Sequence, residues 1–258
     1  MHSSSDSTRN LTGRAALVTG AGVGIGRAIA EALAGAGAFT GLHCNRSLDE
    51  ANAVLDGIRR AGGDGVVLQA DLEDTAAGAS IVEQFVAKAG RLDILVNNSG
   101  TVIERARIEE CSLELWQRVL AVNLTGAFLV TKAAIPHLRA TGRGAIVNNL
   151  SLSVQTGGAG GAGPYAIAKG GLLVMTRTLA KELAPAIRTN SIMPGVIETG
   201  HHRQFSTPDR MEQYRRETPL GRNGTAEEVA AVVLFLVSDA GRFMNGALLD
   251  INGGRFLR

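Results

Sequence analysis

Ala15-Ala16-Leu17-Val18-Thr19-Gly20-Ala21-Gly22-Val23-Gly24-Ile25-Gly26 is the stretch on which the reading of this chain turns. Four uninterrupted apolar residues predict a short buried strand, Ala15–Val18. Beyond the glycines, Ala28, Ile29, Ala32, Leu33 and Ala36 recur at helical spacing, so a helix follows the turn. Glycine lets the chain reverse tightly and lets backbone N–H groups come close to an anion, which the positive end of a helix favours. Glycine-rich turns also serve ordinary connections. A strand before and a helix after make this one a candidate cradle for the pyrophosphate of a dinucleotide, with Gly20, Gly22, Gly24, Ile25 and Gly26 as its contacts.

Outward from that turn, short apolar runs alternate with helical patterns, which predicts βαβ units and a parallel sheet. Further strands are expected at Phe39–Cys44, Val66–Gln69, Ile94–Val96, Ala145–Leu150, Arg188–Met193 and Ala247–Ile251, and helices near 48–60, 75–89, 112–140, 165–184 and 225–237. About seven strands joined by right-handed helical crossovers give one open sheet with helices on both faces, a single-domain α/β Rossmann fold. No composition break marks a second domain, so residues 12–258 are expected to form one dinucleotide-binding domain behind a serine-rich disordered leader over 1–11. The one long irregular stretch, about 196–222, carries His201, His202, Pro208 and Pro219 and is expected to be a substrate lid.

The 258 residues are 45% hydrophobic and 19% charged, a balance that can bury a large core. A net charge of +2 with both signs interspersed leaves no nucleic-acid footprint. Cys44 and Cys111 make no disulfide framework, the first ten residues lack the apolar centre of a signal peptide, and no apolar run approaches the ~20 residues of a bilayer span. A cytoplasmic location, without membrane or nucleic-acid partners, is the expectation.

A site for NAD usually ends its second strand with an acidic residue on the ribose hydroxyls. Here the strand ends Cys44-Asn45-Arg46, with no carboxylate. Arg46 can pair with a 2′-phosphate through its planar fork, so NADP(H) is the expected preference and NAD(H) the alternative. The competing reading makes Arg46 a solvated charge at a helix start. Farther on, Tyr165-Ala166-Ile167-Ala168-Lys169 sets a phenol and an ammonium one helical turn apart on one face. A free phenol, with a pKa near ~10, is a poor base at neutral pH. A neighbouring Lys⁺ favours the phenolate, and Pro164 marks a helix start whose dipole adds to that effect.

Over about residues 12–254 the chain resembles the short-chain dehydrogenase/reductase family. The likeness rests on Thr19 to Gly26, Asp71 after the third strand, Asn97-Asn98-Ser99-Gly100 after the fourth, Asn123, Ser151, Tyr165 with Lys169, and Pro194-Gly195 with Thr199, in the family's order and spacing. The resemblance implies hydride transfer between a nicotinamide and a carbonyl or secondary alcohol. Tyr165 would be the general acid/base and Ser151 would hydrogen-bond the substrate oxygen. Lys169 would bind the nicotinamide ribose and lower the Tyr165 pKa, and Asn123 would hold a water in a proton relay to Lys169. Asp71, with Leu72, would meet the adenine, Asn98, Ser99 and Gly100 the adjoining ribose region, and Pro194, Gly195, Ile197 and Thr199 the nicotinamide end. Asn97 would be a strut for the central sheet. The likeness is nearest to 3-oxoacyl-[acyl-carrier-protein] reductases, so a 3-oxoacyl thioester or other ketone is the leading substrate. A sugar, polyol or other secondary alcohol is the alternative. The complete set of Asn123, Ser151, Tyr165 and Lys169 speaks against a third reading, a dinucleotide-binding regulator without catalysis.

Three positions depart from the family pattern. Ser99 stands where Ala is more common, Asn149 where an apolar residue is usual, and 14 residues separate Ser151 from Tyr165, one more than a common spacing. The glycine-rich segment 157–163 can absorb the extra residue. Ser153, two residues beyond Ser151 on the same side of an extended strand, is a rival for the serine role, and with Val154 and Gln155 it would line the substrate pocket. His201-His202, with His43 or His137 as further ligands, lacks the cysteine or carboxylate cluster of a zinc site, so no metal is expected. Arg139, Arg143 and Arg188 form either a docking patch for an acidic acyl carrier protein or, the favoured reading, a solvated basic face. Leu172, Leu173, Thr176, Leu179 and Ala180 form an apolar stripe on the helix of Tyr165. In the family this helix and the long one before it build a tetramer, so a homotetramer is expected; the alternative is that the stripe only packs on the sheet.

Overall fold

The structure, a computed structural model, describes residues 10–158, 160–200 and 207–257. All seven predicted strands are present: β1 (Ala15–Val18), β2 (Phe39–Cys44), β3 (Gly65–Gln69), β4 (Ile94–Asn97), β5 (Gly144–Asn149), β6 (Ile187–Pro194) and β7 (Leu248–Ile251). They pair in parallel in the order β3-β2-β1-β4-β5-β6-β7. Chain direction across the sheet reverses between β1 and β4, and at that point the strand ends open a crevice suited to a ligand.

Alternate residues of each strand feed two cores. Ala16, Val18, Ile94, Val96, Ala145 and Val147 face α1 (Gly24–Gly35), α2 (Leu48–Arg60) and a late helix, Ala226–Val237. Ala15, Leu17, Leu95 and Ile146 face α3 (Ala77–Ala89) and two longer helices described below. Burial on both sides is why the strands read as unbroken apolar runs. Ile29 and Leu33 on one face and Ile81 and Phe85 on the other are 0% exposed, each contributing roughly 1.5–3 kcal/mol by leaving water.

The helix expected over 112–140 is α4 (Leu113–Leu120) and α5 (Gly126–Ala140), joined by a π turn, Ala121–Thr125. The Gly126 N–H reaches the carbonyl of Ala121 rather than that of Val122, a widening that apolar periodicity does not encode. By length and composition the run Leu113–Ala140 passes for a membrane span, with mean hydropathy 1.5 over an 18-residue window. It contains Asn123, Thr125 and Lys132, and its Val130, Ala134 and Leu138 are 0% exposed in the second core.

Several expectations are corrected. Leu11, expected in the leader, is 0% exposed and its N–H donates to the Ala36 carbonyl; residues 1–9 lie outside the described ones. β5 ends at Asn149, and Ser153–Thr156 forms a helical turn, α6, instead of continuing the strand. The segment expected to be an irregular lid carries α8 (Pro208–Glu217), because Thr207 accepts the Arg210 N–H and Pro208 occupies the first turn, where a missing N–H costs nothing. His201 and His202 lie outside the described residues. On α7 (Gly163–Glu182), Leu172, Leu173, Thr176, Leu179 and Ala180 are all at most 9% exposed, so the stripe packs within the subunit. Arg188 donates to the carbonyls of Leu236, Gly241 and Met244 at the end of the late helix, α9 (Ala226–Val237), which removes it from any surface patch with Arg139 and Arg143. Cys44 and Cys111 are unpaired thiols.

Candidate active site

The glycine turn is held from three sides. Gly20 has φ +65°, a conformation that L side chains rarely adopt, and a Cβ on Gly26 would lie 2.0 Å from the Gly20 carbonyl oxygen. The Gly20 N–H donates to His43 Nδ1 (3.2 Å), and His43 Nε2 lies 3.1 Å from the Ala70 carbonyl, so the proton of the neutral ring belongs on Nε2. Burial pushes the His43 pKa down, against smaller opposing effects of the Ala70 carbonyl and Asp71. Thr19 Oγ1 accepts the N–H groups of Asn98 and Ser99 (2.9 and 3.0 Å), tying β1 to the β4 turn.

Asn98 lines the strand-end cleft beside that turn. Its Nδ2 donates to the carbonyls of Thr19 and Gly20 (2.9 and 3.1 Å), and its Oδ1 accepts from Asn149 Nδ2 (2.9 Å). The amide therefore braces the turn, and the unusual Asn149 is the partner that orients it. Asn97 donates to Thr131 and Asn148, and Asn148 to Thr176, a polar ladder buried under the sheet.

A cleft of about 1300 Å³ runs along the carboxyl ends of the strands. Asn45, Arg46, Asp71 and Leu72 line one end, Gly20, Gly24, Ile25, Gly26, Ser99 and Gly100 the middle, and Ser151, Tyr165, Lys169, Pro194, Gly195, Ile197 and Thr199 the other. No side chain caps the start of α1, so the N–H groups of its first turn remain available to a ligand. Arg46 is exposed on the wall. An uncapped helix start, a cationic end to β2 and this volume fit a dinucleotide bearing phosphates. Gly22 is off the wall: it faces Ser47, whose Oγ would lie 2.5 Å from an added Cβ. Among the described residues no cluster of His, Cys, Asp and Glu has the arrangement of a metal site.

Tyr165 and Lys169 stand on the first turns of α7, which Pro164 opens. Lys169 is 2% exposed; its Nζ donates to the Asn149 carbonyl (2.9 Å) and lies 5.8 Å from the centre of the Tyr165 ring. Burial lowers its pKa to about 8. The Tyr165 phenol is pushed up to about 12 because burial outweighs the opposing hydrogen bond with Ser151. The expected lowering by Lys169 does not emerge in the protein alone, and at neutral pH Tyr165 holds its proton. A Cβ on Gly100 would sit 2.6 Å from Asn123 Oδ1 and 2.8 Å from Lys169 Nζ, so glycine lets the lysine and the π turn close on the β4 loop.

Asn123 is buried behind that loop, not on the cleft wall. Its Nδ2 donates to the carbonyls of Thr101 and Val119 (both 2.9 Å) and its Oδ1 accepts the Thr101 N–H (3.0 Å). The side chain clamps the loop to the π turn. Ser151 and Ser153 both line the cleft, but Ser151 is the one hydrogen-bonded with Tyr165, and its Oγ also accepts the Ser153 N–H (3.2 Å). Ser153 Oγ is buried without a partner among the described residues. Because α6 is a helical turn, Gln155 leaves the wall, Thr156 lines it instead, and Val154 joins the neighbouring apolar cluster.

Arg105, Arg210, Tyr214 and Arg255 also line the cleft, and nothing in the sequence singled them out. They come from three distant segments, the β4 loop, α8 and the C-terminal tail, so only the fold assembles them. Ile103, in the same wall, has φ +63°, a costly backbone for a β-branched residue and one that concentrates at working sites.

A strand-end cleft closing on a serine, a tyrosine and a buried lysine defines a nicotinamide-dependent oxidoreductase. The family described as enoyl-(acyl carrier protein) reductase matches residues 20–255. A 3-oxoacyl-[acyl-carrier-protein] reductase of Aquifex aeolicus is 39% identical over 250 residues, 95% of this chain and 98% of the relative. A glucose 1-dehydrogenase of Bacillus subtilis is 35% identical over 251 residues, 96% of this chain and 97% of the relative. A crystal structure of a short-chain dehydrogenase from Burkholderia cenocepacia in complex with NADP superposes with a TM-score of 0.88 at 33% identity, covering 95% and 99% of the two chains. The chain belongs to the short-chain dehydrogenase/reductase family. It is an NAD(P)-dependent oxidoreductase of carbonyls and secondary alcohols.

Proposed function

We propose that this enzyme reduces a ketone to a secondary alcohol with NADPH. The observation that carries the reading is the phenol of Tyr165, protonated at neutral pH, hydrogen-bonded with Ser151 and facing the cleft beside Lys169. The uncapped start of α1 would hold the phosphates of the dinucleotide, whose reduced nicotinamide would supply the hydride. Ser151 holds the ketone oxygen, and Tyr165 gives its proton to that oxygen as negative charge develops there. Lys169, charged below pH 8, stabilises the phenolate that remains and meets the nicotinamide ribose. Asn123 fixes the loop against which Lys169 packs, and its water-mediated relay to Lys169 runs from the π turn. Arg46 pairs with the 2′-phosphate, which a carboxylate at that strand end would repel.

The relation to 3-oxoacyl-[acyl-carrier-protein] reductases supports a 3-oxoacyl thioester, delivered by an acyl carrier protein, as one substrate class. The arginines of the substrate end favour a second, a small oxidised sugar or oxo acid, and a sugar dehydrogenase is among the relatives. A homotetramer belongs to the same reading. Its contact surface would be the outer face of α7 and α5, where Ile167 and Val174, two turns apart, and Phe128 are 48%, 62% and 47% exposed. A cytoplasmic enzyme with a lid over 196–222 completes the picture. Initial rates on a panel of ketones, followed at the reduced-nicotinamide absorbance with each cofactor, test it. The expected KM for NADPH is at least about tenfold below that for NADH, as for one charge-assisted contact. A clear preference for NADH would remove the role given to Arg46.

A further inference from the structure

We infer that the substrate end of the cleft is an anion subsite, in which Arg105, Arg210 and Arg255 take the carboxylate of a small oxo acid and so present its ketone to Tyr165. The inference rests on the reading of the site as a ketone reductase and names its substrate class.

Two guanidinium groups flank one ring. The guanidinium carbon of Arg255 lies 4.3 Å and that of Arg210 5.4 Å from the centre of the Tyr214 ring, and Arg210 Nε donates to Tyr214 Oη. Stacking on an aromatic ring holds a planar cation in one orientation, which prepares its N–H edge for a planar anion. Arg105 joins them from the β4 loop. Its Nη1 donates to the Gly160 carbonyl (3.0 Å), and Arg105 Nη1, Arg210 Nη1 and Arg210 Nη2 all come within 3.7 Å of the point where a Gly160 side chain would begin. Glycine at 160 thus leaves open the space on which the cations converge.

The strongest sign of a missing acceptor is at Arg255. Its Nη2 is paired with Glu217 (2.5 Å), while its Nη1 is buried and has no hydrogen-bond partner among the described residues. A buried N–H without an acceptor is costly and uncommon, and a ligand oxygen would satisfy it. The carboxylates on this part of the wall are Asp209 and Glu217. Glu217 is already engaged by Arg255 and Gln213, and Asp209 sits in the first turn of α8, which leaves the balance cationic. A long neutral acyl chain would strip water from these guanidinium groups and return nothing to them. A carboxylate returns two acceptors in the geometry of the fork.

The test pairs each oxo acid with a neutral twin of nearly equal size: acetoacetate, levulinate and 5-oxogluconate against their methyl esters or amides, with NADPH. The native enzyme is expected to favour at least one acid over its twin by about tenfold or more in kcat/KM, with most of the difference in KM. In Arg210→Gln and Arg255→Gln that ratio should fall toward unity, with NADPH binding, measured separately by fluorescence, reporting that each variant is folded. Neutral twins reduced as well as the acids by the native enzyme, or an acid preference that survives both substitutions, overturns the subsite while leaving ketone reduction standing. Failure to reduce any ketone, acid or neutral, sinks the underlying reading and this inference with it.

Discussion

His43 works as a bridge between two parts of the nucleotide cleft: it accepts from Gly20 on the phosphate-binding turn and contacts Ala70, next to Asp71. Only the neutral ring can accept at Nδ1. Because burial lowers its pKa from 6.5, the unfolded chain takes up a proton below that pH which the folded chain refuses. Stability tied to this group is therefore complete above 6.5 and declines as the pH falls through the window beneath it. Melting temperature and NADPH affinity should both drop as the pH falls below 6.5. In His43→Gln the drop should be shallower; equal slopes in the two proteins would remove His43 as the cause. At this scale the sequence was legible where spacing alone implies chemistry, as with Tyr165 and Lys169 on one helical face. It was opaque where a side chain's role depends on a partner across the sheet. Asn98 and Asn149 meet only because β4 and β5 are neighbours, and Arg105, Arg210 and Arg255 share no local pattern.

Helix α9 covers the sheet from the side opposite α7, and its start is unusually well secured. Thr225 Oγ1 accepts the Glu228 N–H, the Glu228 carboxylate accepts the Thr225 N–H, and Arg222 pairs with the same carboxylate. The Arg222 hydrogen bonds, then that from Thr225, hold the Glu228 pKa at about 2, so its support is present above 4.5 and is lost as the pH falls toward 2. Thr225→Ala should lower unfolding free energy by about 1 kcal/mol, seen as an earlier urea midpoint with an unchanged slope. No shift in the midpoint would mean that the cap is redundant with packing on α1. Strands and long helices could be read from the sequence because two-sided burial and amphipathic spacing leave direct marks. The π turn and α6 could not, since a widened turn and a single helical turn leave none, and α8 left only its Thr207-Pro208 start, with no apolar stripe behind it.

Across the whole molecule, the reversal of strand order at β1 and β4 gathers residues from nearly the full chain at one edge of the sheet. Gly20 and Gly26 come from the first crossover, Lys169 and Tyr165 from α7, and Ile197 and Thr199 from beyond β6. The fold class followed from alternation alone, but the substrate end depends on α8 and the C-terminal tail, whose approach to the β4 loop is a property of the finished fold. The account stands or falls on Tyr165 as the proton donor next to a bound reduced nicotinamide. Its most direct test is NADPH-dependent ketone reduction by native protein and Tyr165→Phe, with NADPH binding measured on both. The expected result is binding in both proteins and turnover lower by about 10²–10⁴ in the phenylalanine variant. Undiminished turnover without the phenol, or a folded native protein with no affinity for either dinucleotide, would contradict it.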